Sequence, residues 1–206
     1  PPTLEAEDPQ AGGGEEGVAE VGPETPPLPV ESPSLPGTGR QVLLVDYADS
    51  FIHIIASYLE LLGGTVTCLR HYLVDSELPL TQYSLVILSP GPGKPSDYPI
   101  KPIINRCIGL DIPILGICLG HQALWEYFGG KLSVLPEPRH GQPHQIQLVN
   151  HSRIFRGLGS DMTVGLYHSL YGRTSQIPQF LQVTATSTTD DVCMGFQHNC
   201  LPVYGL

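Results

Sequence analysis

Cys118 stands between two glycines in Gly116-Ile117-Cys118-Leu119-Gly120, the strongest chemical signal in a chain of 206 residues. A G-x-nucleophile-x-G run suits a sharp strand-to-helix turn, where flanking Cβ atoms have no room and the central side chain is pushed out of the sheet. At a helix start, free N–H groups and the dipole favour thiolate over thiol. The N–H of Leu119 is then placed to receive a developing oxyanion. The expected chemistry is nucleophilic acyl transfer on sulfur; the plain alternative is a small buried cysteine in a glycine-rich turn. A second candidate is Gly91-Pro92-Gly93. Its glycines let the backbone approach a ligand closely and its proline limits flexibility, although alone it reads as a turn. No G-x-x-x-x-G-K-[ST] phosphate loop follows. His140, His144 and His151 suggest a metal by number, but Gly141 and Pro143 interrupt the first pair and no Cys or carboxylate completes the set, so no metal or cofactor is expected.

These groups need elements to hold them. Gln41–Val45 is a continuous apolar run of strand length, suited to a sheet covered on both faces. Asp49 or Ser50 can cap the next helix, whose Phe51, Ile54, Ile55, Tyr58, Leu59 and Leu62 recur at helical spacing and mark its buried face. Gly63-Gly64 ends that helix, and Thr65–Leu69 is a second strand. Leu85–Leu88 is a third, followed by Ser89-Pro90-Gly91-Pro92-Gly93. Ile100, Ile103, Ile104, Cys107 and Ile108 mark a second helix, Ile112–Ile117 a fourth strand and Leu119–Phe128 a third helix. Alternating β and α at this spacing predicts an α/β fold with a doubly wound, mostly parallel sheet flanked by helices. Five further short strands (132–135, 146–149, 163–166, 181–186 and 192–196) are expected to extend it in antiparallel fashion. Ligands in such sheets sit beyond the carboxyl ends of the strands, where Asp46, the Gly-Pro loop and Cys118 fall.

Charge is divided unevenly along the chain. Residues 1–39 hold eight carboxylates, nine prolines and seven glycines with no Lys or Arg, and the rest holds twelve acids against ten bases. Residues 1–39 are therefore expected to be a disordered acidic Pro/Gly-rich linker, or equally a solubilising tail, ahead of a domain over 40–206. The formal charge of −10 argues against nucleic acid as a partner. No apolar run is long enough to span a membrane. Five cysteines with no CxxC pair point to a reducing cytoplasm rather than a disulfide framework. Cys68, Cys107, Cys193 and Cys200 are expected as small core residues, and Trp125 and Tyr127 as packing.

Asp46-Tyr47-Ala48-Asp49-Ser50-Phe51, Ser89-Pro90-Gly91-Pro92-Gly93, Cys118-Leu119-Gly120-His121-Gln122, His140-Gly141 and Tyr167-His168-Ser169-Leu170 follow in an order and spacing that resembles class I (triad) glutamine amidotransferases. The likeness is strongest to the glutaminase component of anthranilate synthase and of aminodeoxychorismate synthase. The resemblance implies a flavodoxin-like fold. It implies that Cys118 attacks the side-chain amide of L-glutamine, giving a γ-glutamyl thioester and ammonia. Gly91, Pro92, Gly93 and Leu119 would line the pocket and hold the oxyanion; Gln122, Ser169 and Leu170 would hold the substrate. Ammonia would pass to a chorismate-binding synthase, as a separate subunit or a fused upstream domain.

The family's general base and its carboxylate come from a Phe-His-Pro-Glu-type segment after a strand resembling Pro202–Leu206, and none of the eight histidines precedes Pro-Glu. The expectation is a C-terminally truncated domain with little glutaminase activity as it stands. His121 is expected to serve packing or a partner surface, and His168 is not the base. Leu166 stands where the family usually carries Arg, which puts communication with a partner in question. Three other readings compete. A cysteine hydrolase of the α/β-hydrolase type has no place for SPGPG or YHSL. A signalling receiver needs a phosphorylatable Asp where Ser89 stands. A catalytically incomplete partner-binding domain follows if the base is absent.

Overall fold

The structure, a computed structural model, describes residues 34–149 and 152–206. The expectations for residues 1–33 and for His151 lie outside the described residues. Residues 34–40 make a turn in which the Gly37 N–H donates to Leu62 O at 2.8 Å.

The apolar run at 41–45 becomes β1, Gln41–Asp46. It is followed by α1, Ile52–Leu61, β2, Thr65–Arg70, and β3, Leu85–Leu88. Next come α2, Ile100–Gly109, β4, Ile114–Gly116, and α3, Leu119–Tyr127. The strand-rich remainder comprises β5 (Leu132–Val134), β6 (Gln142–Leu148), β7 (Asp161–Leu166), β8 (Leu170–Gly172), β9 (Leu181–Ser187), β10 (Cys193–His198) and β11 (Val203–Gly205). Nine strands form one sheet in the order β2-β1-β3-β4-β11-β10-β9-β6-β7. The first five are parallel, and β10, β9, β6 and β7 continue it antiparallel. β5 does not join this extension as expected; it pairs with β8 in a separate two-stranded sheet.

Strand alternation explains the two covered faces. Val42 and Leu44 of β1 pack under α1 with Ile87, Ile52 and Ala56, whereas Leu43 and Val45 face α2 and α3 among Val86, Ile104, Leu119, Leu124 and Trp125. A third cluster, Ile146, Leu148 and Ala185, holds the antiparallel extension.

Two sequence expectations about α1 are corrected. Its buried side is Ile52, Ile55, Ala56 and Leu59, while Phe51, Ile54, Tyr58 and Leu62 are exposed. Polar residues occupy only the narrow stripe His53, Ser57 and Glu60, so the apolar positions extend well beyond the side that meets the sheet. Asp49 and Ser50 do not cap it either: Phe51 is the N-cap and has no side-chain cap bond. Asp49 Oδ1 instead accepts the Phe51 N–H at 2.7 Å and closes the turn before the helix.

The glycines around Cys118 are required by close approach. A Cβ on Gly116 would overlap the backbone of Gly120, and one on Gly120 would overlap the Leu88 carbonyl. The β4–α3 turn thus lies directly against the end of β3. Gly120→Ala is expected to lower stability by about 3 kcal/mol or more, as overpacking against backbone cannot relax by a rotamer change. Denaturant unfolding of the two proteins measures this.

Candidate active site

β4 delivers the chain to Cys118, which takes φ 52° and ψ −101° before α3 begins. A non-glycine residue there is strained by on the order of 1–3 kcal/mol, and such strain collects where a side chain must be presented rather than packed. Cys118 is half-buried. The expected low thiol pKa is corrected: burial pushes the Cys118 thiol up, the Leu119 N–H beside it pulls it down, and Asp49 adds a further upward push. One N–H and a helix end do not offset the desolvation of a thiolate.

The side chain of Leu119 is buried and ties this turn to the Gly-Pro loop. A Cβ on Gly91 would come within 2.7 Å of Leu119 Cδ2 and of Tyr47 Cβ, so the loop backbone rests on both residues. Pro92 and Gly93 are exposed at the rim, Gly93 with φ +78°. One turn along α3, Gln122 is buried and its Nε2 donates to Leu170 O at 3.1 Å. That bond brings the segment carrying Ser169 and Leu170 onto α3. His168 lies on the same carbonyl through Nδ1, at 3.0 Å. The structure therefore joins Leu119, the residue after Cys118, to Gly91, and Gln122 to Leu170.

β11 runs parallel beside β4, with Gly205 level with Gly116. The Cys118 N–H donates to Leu206 O at 2.8 Å, and the Leu206 N–H to Gly116 O at 2.9 Å. Leu206 is thereby held against the backbone of Cys118. Among the described residues no imidazole is hydrogen-bonded to the Cys118 sulfur; the groups acting on it are the Leu119 N–H and Asp49.

His121 corrects the option of a surface role. It is buried, its ring 4.6 Å from that of Phe196 and 6.4 Å from that of Trp125. Its Nδ1 has no hydrogen-bond partner among the described residues. Burial pushes the imidazole down from 6.5 to about 4. The folded protein thus binds this proton less tightly than the unfolded chain, and stability present above about pH 6.5 is lost as pH falls toward 4. The loss expected from this group is about 3 kcal/mol. His121→Gln should flatten that part of the acid limb, read from thermal midpoints between about pH 7 and 4.

Several other expectations resolve here. Asp46 is occupied by the loop, its Oδ1 accepting the Ala48 N–H at 2.7 Å and its Oδ2 pairing with Arg70 at 3.2 Å. Cys107 and Cys193 are buried, but Cys68 and Cys200 are exposed, which corrects their placement in the core. Cys68 faces outward on β2, where partly apolar neighbours in sequence did not imply burial. Leu166 is buried at the end of β7. Trp125 is fully buried, and Tyr127 packs against the same core. His144 Nε2 lies 2.7 Å from Ser187 Oγ, and the His140 ring stands edge-on to Tyr167. A cavity of about 550 Å³ lies between the start of α2 and α3, away from Cys118. Sequence reasoning did not single out Tyr98, whose hydroxyl reaches the Pro92 carbonyl at 2.9 Å. No spacing rule points to it.

A thiol on a strained turn at a helix N-terminus, with a glycine loop packed against the next residue, is suited to acyl transfer from an amide. The family model for class I glutamine amidotransferases matches residues 43–206. An anthranilate synthase of Azospirillum brasilense is 44% identical over 177 residues, 84% of this chain and 24% of that protein. Anthranilate synthase component 2 of Methanocaldococcus jannaschii is 34% identical over 173 residues, 81% of this chain and 82% of the relative. A solved glutamine amidotransferase from Thermotoga maritima superposes with a TM-score of 0.65 at 22% identity, over 81% of this chain and 74% of that one, a likeness of fold. The chain belongs to the class I glutamine amidotransferases. It spans about a quarter of the Azospirillum protein and most of the Methanocaldococcus one.

Proposed function

We propose that this domain releases ammonia from L-glutamine and supplies it to a chorismate-using synthase, that of anthranilate synthase on the route to tryptophan, in the cytoplasm. The Cys118 sulfur bonds to the side-chain carbonyl carbon, and the C–N bond breaks with nitrogen leaving as ammonia. Water then cleaves the thioester to glutamate and restores the thiol. The Leu119 N–H and the N–H groups of Gly91 and Gly93 hold the oxyanion, and Pro92 lines the pocket between them. Gln122, Ser169 and Leu170 hold the amino-acid end of the substrate. The observation that carries this reading is the strained turn that presents Cys118 beside the glycine loop. The anthranilate synthase names of the relatives favour that branch over aminodeoxychorismate.

The base and its carboxylate belong, in this reading, to residues following β11. Leu206 is bonded to the Cys118 N–H, so a segment continuing from it would begin beside the sulfur. The reading is tested by trapping. With glutamine and hydroxylamine, a chain carried through Phe-His-Pro-Glu should form γ-glutamyl hydroxamate in a Cys118-dependent way. Absence of hydroxamate would end the proposal.

A further inference from the structure

The Gly-Pro loop is tied by two hydroxyl groups that meet on one residue. Ser89 Oγ accepts the Tyr47 N–H at 3.1 Å and donates to the Pro90 carbonyl at 2.6 Å. Tyr98 Oη donates to the Pro92 carbonyl at 2.9 Å and lies 3.5 Å from the Tyr47 carbonyl. The Tyr98 ring stands edge-on to the Tyr47 ring, with centroids 5.2 Å apart, and Tyr47 stacks on His71. The turn that carries Tyr98 is closed by Asp97 Oδ2, which accepts the Lys94 N–H at 3.0 Å. Burial and Asp97 push the Tyr98 phenol up, which keeps it protonated and a donor.

A trans peptide is planar, with its carbonyl and its N–H on opposite sides. Fixing the carbonyls of Pro90 and Pro92 therefore fixes the N–H groups of Gly91 and Gly93. Neither of those N–H groups has an acceptor among the described residues. Without a tie, the Pro92–Gly93 plane turns easily. Its rotation changes ψ of a proline, which the ring leaves free, and φ of a glycine, which tolerates either sign. A turned plane would exchange a donor for a carbonyl, and a carbonyl repels an oxyanion.

We propose that Ser89 and Tyr98 are positioning residues for acyl transfer at Cys118, their hydroxyls holding the Pro90–Gly91 and Pro92–Gly93 planes so that both glycine N–H groups stay free as donors. The proposal rests on the glutaminase reading above and adds two groups to it. Ser89 is fully buried and Tyr98 only partly, so Tyr98 is the tie that substitution removes with least disturbance.

The experiment uses the chain as it stands and two electrophiles at about pH 9, where a raised thiol still ionises in part. A glutamine analogue with a chloromethyl ketone in place of the amide reacts by addition of sulfur to the ketone, then loss of chloride to leave a thioether. Iodoacetamide alkylates the same sulfur without an oxyanion. Intact mass, with Cys118→Ala as the blank, reports labelling at Cys118. Tyr98→Phe keeps the ring and should lower the saturated rate with the ketone about tenfold or more. Half-saturation, the iodoacetamide rate and the thermal midpoint should stay within about twofold or a few degrees. Ser89→Ala should act in the same direction on the ketone rate. An unchanged ketone rate in Tyr98→Phe, or an equal fall with both electrophiles, overturns the proposal while leaving the glutaminase reading in place. A parent chain with no saturable preference for the glutamine ketone overturns both.

Discussion

Cys118→Ala is expected to lower glutamine hydrolysis by on the order of 10⁴-fold or more, since losing the nucleophile removes the covalent route and leaves only binding and the oxyanion donors. The measurement is ammonia release by the domain continued by Gln-Phe-His-Pro-Glu and mixed with a chorismate-using synthase. Synthesis from free ammonium by the same assembly should be unchanged, because Cys118 acts only on glutamine. The substitution is also expected to be benign to the fold. Alanine fits the half-buried site, and the Cys118 backbone bonds to Leu206 and from Gln122 do not depend on the side chain. Loss of ammonium-dependent synthesis together with glutamine use would place Cys118 in the structure of the interface rather than in chemistry.

The second large effect concerns the base. A polypeptide of residues 34–206 should hydrolyse glutamine at least about 10²–10⁴-fold more slowly than one continued by Gln-Phe-His-Pro-Glu, the usual contribution of a positioned proton acceptor. Burial has pushed the Cys118 thiol up, so little thiolate exists at neutral pH without an imidazole to take the proton. The shorter polypeptide should therefore gain activity steadily as pH rises through the thiol's raised range. The longer one should level off nearer the imidazole's. Equal rates and equal pH profiles would mean that a group within residues 34–206 serves as the base.

These two effects have their origin at different depths of description. The turn that carries Cys118 was legible because its requirements are local: two glycines at fixed spacing, an apolar strand before and a helix after. Gly116 and Gly120 show why, since each lies where a Cβ would meet backbone. The Gly-Pro loop was legible in the same way. Its support was not. Tyr98 reaches Pro92 from six residues away and Tyr47 from fifty-one, and nothing in the identity of a tyrosine announces such a contact. His121 follows the same rule. Its place three residues past Cys118 fixed its helix, but only packing against Phe196 and Trp125 made it a buried, neutral imidazole.

What the amino-acid sequence determined by itself was element type, the alternation of strand and helix, and the presence of a thiol on a glycine-flanked turn. Each of these follows from backbone sterics and short-range periodicity. The tertiary structure alone decided which of the apolar residues of α1 meet the sheet and that β5 leaves the main sheet for β8. It also decided that burial outweighs the helix end in setting the Cys118 thiol. Those outcomes depend on which surfaces come together and how much water they exclude, and desolvation is a property of the assembled neighbourhood rather than of any stretch of chain.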